Sequence, residues 1–368
     1  MSEYQYYEWQ MLDRSLTREE MAEVNGLSSH IEVTATHALV TYSWSGFKHD
    51  RKNVLARYFD AFLYWANWGS RELMFRLPKS LLDQQDIEPY LWEYHVELEP
   101  AGDFCILQIT PNKEDGGDWL DTGFELSDFV MLRDDIVRRD YRSLYLAWLR
   151  SAELEEAADE EIEPPVPPGL SDLSASLHSL VGFLGLDHYL LAAAAQASEQ
   201  RSMRTVDFDI EKAVAGLPRD ECTSFLARLA RNEPYLSLTL LRRLQDGAAA
   251  KPQIPVARRR TWGELTGAAK QLRRDAERRQ REEAETRRLA ALQALAAREP
   301  EAWRDVYRLI DEKKPKAYDE AVSLLVQLRE LAIHQGHVQK FEGKVADICA
   351  RYSNRPSLLQ RLATAGLS

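Results

Sequence analysis

The chain has 368 residues, 45% of them hydrophobic and 29% charged, with a formal net charge of −12. That length points to two or three domains, and the apolar fraction with nine tryptophans excludes general disorder. The acidic balance works against non-specific nucleic-acid binding. Three widely spaced cysteines, Cys105, Cys222 and Cys349, argue against a disulfide framework and fit a reducing compartment.

The opening residues, MSEYQYYEWQ, lack the basic-then-apolar pattern of a signal peptide. No apolar run nears the roughly 20 residues that span a bilayer. A cytoplasmic protein with no membrane partner is therefore expected.

The first 155 residues mix strand and helix signals. YQYYEWQML is rich in aromatics and reads as a strand. Thr17, followed three positions later by Glu20, opens a short helix with a capping box that ends near Gly26. IEVTATHALVTYSW is β-branched and reads as a strand or hairpin. In RKNVLARYFDAFLYWANWG, Val54, Leu55, Tyr58, Phe59, Phe62, Leu63 and Ala66 recur at three and four. That period predicts one helix with a buried face, ended by Gly69. ELMFRLP reads as a strand stopped by Pro78. YHVELEPAGDFCILQIT reads as a hairpin turning at Ala101-Gly102-Asp103, and LRDDIVRRDYRSLYLAWLRSAEL as a closing helix. Helices alternating with an at least partly antiparallel sheet predict an α+β domain over 1–155.

EEAADEEIEPPVPPGL packs six acids and four prolines into sixteen residues. It predicts an extended connector over 156–170. Every strong signal beyond it is helical. A helical domain is expected over 171–248, punctuated at Asp220 and at Asn232-Glu233-Pro234. GAAAKPQIP reads as a second linker. The region 249–368 then holds one long charged helix and a set of helical hairpins, all-α throughout. Val322, Leu325, Leu328 and Leu331 make one apolar stripe; Phe341, Val345, Ile348 and Tyr352 make another. Turns at Lys314-Pro315, Gln335-Gly336 and Asn354-Arg355-Pro356 separate antiparallel neighbours.

The long helix, from about Arg258 to Arg298, carries twelve basic residues against six acidic ones. Between Arg273 and Arg288 no apolar side chain is larger than alanine. At about 100° per residue, Lys270, Arg274, Arg278, Arg281 and Arg288 fall on one edge. Leu265, Leu272 and Ala276 share one azimuth; Leu289, Leu292 and Leu295 share another, nearly opposite. Such stripes predict a strut whose two ends pack on different bodies, braced by pairs such as Asp275–Arg279, Glu277–Arg281 and Glu283–Arg287.

Three stretches, FDAFLYWANWGSRELMFRLP, DYRSLYLAWL and EPPVPPGLSDLSASLHSLVGFLGLD, resemble an uncharacterised family of bacterial proteins. The part from YDEAVSLLVQLRELA through RPSLLQRLATAGL resembles the tail of bacterial SWIM-type zinc-finger proteins. The finger itself needs Cys-x-Cys followed by Cys-x-His, and none of the three cysteines has such a neighbour. The resemblance thus implies a helical interaction tail without a metal site. Because the likeness runs through the proline segment, it also implies an ordered strap there.

Motifs for chemistry are absent. There is no phosphate loop, no dinucleotide fingerprint and no nucleophile elbow, so no cofactor is expected. The loop NKEDGGDWLDTG, with Asp115, Asp118 and Asp121, lacks the calcium-loop pattern and reads as a polar hairpin tip. His334 and His337 flank Gly336, which marks a helix end rather than a metal pair. Tyr58, Phe59, Phe62, Tyr64, Trp65 and Trp68 have few cations among them and read as a core face rather than a base-stacking platform. His37, Trp44, His49 and His95 form a candidate pocket, weighed against ordinary structural roles.

The expected function is a non-catalytic intracellular adaptor that binds other proteins through its helical half. Arg258, Arg259, Arg260, Lys270, Arg274, Arg278, Arg281 and Arg288 are its candidate partner-binding residues. Two alternatives stand beside it: a nucleic-acid-associated protein using that basic edge, and an enzyme of unknown reaction with its pocket at His37, Trp44, His49 and His95.

Overall fold

A computed structural model describes residues 3–112, 123–200, 210–231, 233, 235–248 and 259–367, with backbone alone for 245–248. The loop with Asp115, Asp118 and Asp121, the linker up to Arg258, and Asn232 and Pro234 lie outside the described residues. The chain forms two compact units that divide between Arg273 and Arg274.

The first unit is built on strands β1 (Gln5–Gln10), β2 (Glu32–Val33), β3 (His37–Tyr42), β4 (Ala61–Ala66), β5 (Arg71–Pro78), β6 (Val96–Ala101) and β7 (Phe104–Ile109). They form one sheet in the order β2-β3-β1-β4-β5-β7-β6, and every pairing is antiparallel. Helices α1 (Arg18–Asn25) and α2 (Arg51–Tyr58) precede β2 and β4. The capping box is present: Glu20 N–H donates to Thr17 Oγ1 at 3.1 Å, and Thr17 N–H donates to Glu20 Oε2 at 2.8 Å. Next come α3 (Gln84–Ile87), α4 (Val130–Val137), α5 (Arg142–Leu154), α6 (Ala175–Leu184), α7 (His188–Ala195), α8 (Ile210–Ala215), α9 (Arg219–Ala230) and α10 (Leu236–Ala248).

The period-3/4 pattern read as one helix over RKNVLARYFDAFLYWANWG is two elements. Asp50 caps α2, which ends at Tyr58, and Ala61–Ala66 is the central strand β4. A strand buried on both faces is an unbroken apolar run, and periodicity alone cannot tell that from a buried helix. Phe62, Tyr64 and Ala66 join one core with Trp9, Val54 and Leu55. Ala61, Leu63 and Trp65 join the other, with Leu73, Phe75 and Leu132. Gly69, expected to end the helix, has φ +98 in the turn between β4 and β5. The closing helix is likewise divided: α4 and α5 are separated where Arg139 takes φ +63.

The segment 156–170 is a docked strap. Ile162 bridges Thr261 in antiparallel fashion. Glu163 N–H donates to the Arg260 carbonyl at 3.0 Å, and Trp262 N–H to the Glu161 carbonyl at 2.8 Å. The strap therefore separates no cores. Leu177, Leu180 and Phe183 of α6 and Leu190 of α7 share the core of Leu73, Phe75 and α5. Together these apolar faces cover one side of the sheet, so the compact unit continues well past residue 155.

Helix α11 (Trp262–Ala297) is continuous over 36 residues. Thr261 and Glu264 form its capping box. Trp262, Leu265 and Ala269 belong to the first unit's core. Leu292 and Leu295 belong to the core of the second unit, as the two apolar stripes require. Between them, residues 273–288 are exposed apart from a half-covered Asp275 and Ala276.

The second unit continues with α12 (Glu299–Asp311), α13 (Pro315–Gln335), α14 (Val338–Arg351) and α15 (Pro356–Thr364). Leu325, Leu328 and Leu331 are buried together with Phe341, Val345, Ile348 and Tyr352, while Val322 is partly covered. Gly336 ends α13 at φ +71, a conformation that glycine adopts without a Cβ penalty. Arg355 donates to the Ile310 carbonyl and to Asp311, which satisfies the open end of α12.

Candidate functional site

The exposed stretch of α11 is the surface on which the sequence places partner binding. Arg281 is 84% exposed, Arg278 67% and Arg288 57%. Lys270, Arg274 and Arg259 are also exposed. Much of this cationic edge is matched within the helix itself. Arg278 lies 3.0 Å from Asp275 and 3.9 Å from Glu282. Arg281 is 3.8 Å from Glu277, Arg287 is 3.9 Å from Glu283, and Arg288 is 3.4 Å from Glu285. Each exposed pair adds a few tenths of a kcal/mol at most, so their sum supports the helix without fixing it to a neighbour.

Arg260 is removed from the exposed set. Its guanidinium donates to both oxygens of Glu163 at 2.8 Å and to the Ala193 carbonyl at 3.0 Å. Glu163 is 1% exposed. The Tyr145 hydroxyl donates to the same carboxylate. Burial first, and then the Glu163 charge, push the Tyr145 phenol far above its ordinary pKa, so it serves only as a donor. The acidic strap and the start of α11 are thus each other's partner. Arg258 lies outside the described residues.

The candidate pocket is not assembled. His37 sits at the start of β3 and bonds Glu8 Oε1 through Nε2 at 2.7 Å. Glu8 also accepts from Tyr6 and from Leu126 N–H. Burial alone would raise its pKa; the bonds from His37, Leu126 and Tyr6 outweigh it and lower it. Trp44 lies beyond the far end of β3 and is 80% exposed. His49 is exposed beside Phe47. His95 precedes β6 and is held by the Thr110 carbonyl at 2.9 Å and by Glu155 at 2.7 Å. From β3 to β6 the sheet takes five strand steps, about 24 Å at ~4.8 Å each. The four residues therefore do not converge on one pocket.

Among the described residues, sequence reading missed a fully buried ionic group. Asp60, 0% exposed, follows α2. It accepts from Leu12 N–H at 2.8 Å, Arg76 at 2.7 Å and the Tyr235 hydroxyl at 3.2 Å. Arg133 binds Asp13 at 2.5 Å, lies 3.9 Å from Asp60, and donates to the Arg76 carbonyl. Burial would raise the Asp60 carboxyl, but Arg133 and Arg76 outweigh it and hold the carboxyl below its ordinary range. For Asp13 burial wins over Arg133, and its pKa is raised. The only advance sign was a charge set inside an apolar run: Asp60 in YFDAF, Arg76 in MFRLP, Arg133 in MLRDD. All these hydrogen bonds stay inside the first unit, so the cluster fastens α4, the loop at 11–13 and the start of α10 to the sheet.

Among the described residues no helix is long and apolar enough to cross a membrane, and no group of three or more His, Cys, Asp or Glu is placed to hold a metal ion. The chain matches no family model, no curated protein and no solved structure.

Proposed function

We propose that the chain is a non-catalytic adaptor that binds other proteins through its helical half. The observation that carries this reading is α11. A helix normally draws its stability from one buried face, yet α11 runs through sixteen residues, 273–288, with no buried side chain. Surface of that kind contributes little to either core and leaves most of the stretch open to partners.

Protein is favoured over nucleic acid by two features. Four of the eight cations of α11, Arg278, Arg281, Arg287 and Arg288, lie within 4 Å of an acid one turn away, which lowers the charge available to neutralise phosphates. Helix α9 has no buried residue and exposes Leu226 and Leu229, at 65% and 63%. Such apolar side chains suit a protein contact. An enzyme pocket at His37, Trp44, His49 and His95 is disfavoured by their dispersal. The likeness of the region from α13 onward to a helical interaction tail agrees with the same reading.

The test compares bacterial proteins recovered by the intact chain with those recovered by a full-length variant carrying L226D and L229D together with R278E, R281E and R288E, all at exposed positions. Loss of most partners from the variant is expected. Recovery of the same partners by both places docking elsewhere and removes the proposal. So does retention of DNA or RNA whose affinity falls steeply, by about 10³-fold or more, between 50 and 200 mM salt.

A further inference from the structure

The geometry points to a head-to-tail contact between two copies of this chain, in which the acidic strap of one copy seats Ile162 in a lysine-rimmed hollow on the second unit of another. The inference stands independently of the adaptor reading, since both surfaces belong to this chain.

The hollow lies where the end of α13 meets the start of α14 and has a volume of about 90 Å³. The buried Trp303, Leu331 and Phe341 line it together with the exposed Lys340 and Lys344, whose two charges outnumber the one lining acid, Glu299. A dry apolar cavity of about 150 Å³ holds a benzene ring, and a water occupies about 30 Å³. A space between these suits one branched aliphatic side chain. Lys344 is held at the hollow by its own copy, its Nζ 4.4 Å from the centre of the Trp303 ring and 3.9 Å from Glu299.

The strap offers the complement. Ile162 is 50% exposed although its backbone is bridged to Thr261. Asp159, Glu160 and Glu161 beside it are exposed. The hydrogen bonds of Glu161 and Glu163 to Trp262 and Arg260 fix the chain on both sides of Ile162. An apolar anchor held in advance loses little conformational freedom on binding. The wider charge distribution agrees. Residues 274–368 carry 18 basic against 15 acidic residues, while the rest of the chain carries 29 against 44. Opposite fields of this kind favour the strap of one copy meeting the second unit of another. A contact between different surfaces is heterologous and needs no two-fold axis.

Sedimentation velocity of the full-length protein over a range of concentrations from about 5 to 500 µM tests this, at the affinities expected of a single anchor with rim charges. The sedimentation coefficient is expected to rise with concentration, and less so in 500 mM salt. E160K/E161K alone and K340E/K344E alone each place like charges across the contact and should weaken association at least about tenfold. An equimolar mixture of the two variants restores opposite charges in both directions and should regain association. Misfolding of either variant cannot produce that recovery. A concentration-independent wild type, undiminished association of the single variants, or a mixture that stays monomeric would each overturn the inference.

Discussion

Arg133→Met should destabilise the first unit by about 3–5 kcal/mol, the cost typical of removing one partner from a buried ion pair. Arg133 is 1% exposed and stands between two carboxylates, Asp13 at 2.5 Å and Asp60 at 3.9 Å. Methionine keeps the length of the side chain and removes its charge. Asp60 then keeps Arg76, while Asp13 loses the guanidinium it binds. The loss should depend on pH with a definite sign. In the native chain Asp60 has a depressed pKa, so its pairing contributes stability above the unfolded carboxyl value and loses it as pH falls through the folded one. Without Arg133 both carboxyls shift upward: Asp13, already raised by burial, rises further, and Asp60 loses the larger of the two charges that oppose its burial. Stability then falls as pH rises through the raised values. Urea midpoints at pH 5 and pH 8 check this: the deficit relative to wild type should be larger at pH 8. A loss below about 1 kcal/mol, or an equal loss at both pH values, contradicts the role given to the cluster.

Glu163→Ala should cost about 3 kcal/mol. That is the lower end of the buried-pair range, because Arg260 keeps 23% of its side chain in water. The substitution strips the acceptor from Arg260 and from the Tyr145 hydroxyl at once. Tyr145→Phe removes one bond to the same carboxylate and should cost about 1 kcal/mol. Hydrogen exchange separates the local effect from the global one. Amides of 159–163 and of the first turns of α11 should lose protection in Glu163→Ala more than those of β4 and β5. Unchanged protection of the strap would mean that backbone bridging alone holds it.

Local rules in the sequence were legible. Thr17 with Glu20 is a complete helix start, and the glycine turn at Ala101-Gly102-Asp103 joins β6 to β7 in the expected place. The C-terminal stripes were readable because each helix there buries one face at a fixed period. The β4 region was not, since its burial on both faces erases alternation. The ionic cluster was hidden for a different reason. Asp60 meets Arg76 sixteen residues away and Tyr235 175 residues away, and no spacing rule reaches that far. Arg260 looked like one cation in a basic triplet because its partner, Glu163, lies 97 residues earlier. The pairs along α11 were legible in kind, being three and four apart: Glu277–Arg281 and Glu283–Arg287 are present, and Asp275 meets Arg278. The four candidate pocket residues were grouped by residue type and scattered by strand order, which only long-range pairing decides.

The most direct measurement concerns α11 between its two buried ends. Spin labels at Arg274 and Arg288, in a chain whose three cysteines are replaced by serine, report the distance across the exposed stretch. Fourteen residues of helix place the two backbones about 21 Å apart. The expected result is a single narrow distribution near that value, with both labels fully accessible to a water-soluble relaxation agent. A markedly shorter distance, a broad distribution, or a label shielded from solvent would contradict a continuous, open helix and the adaptor reading built on it.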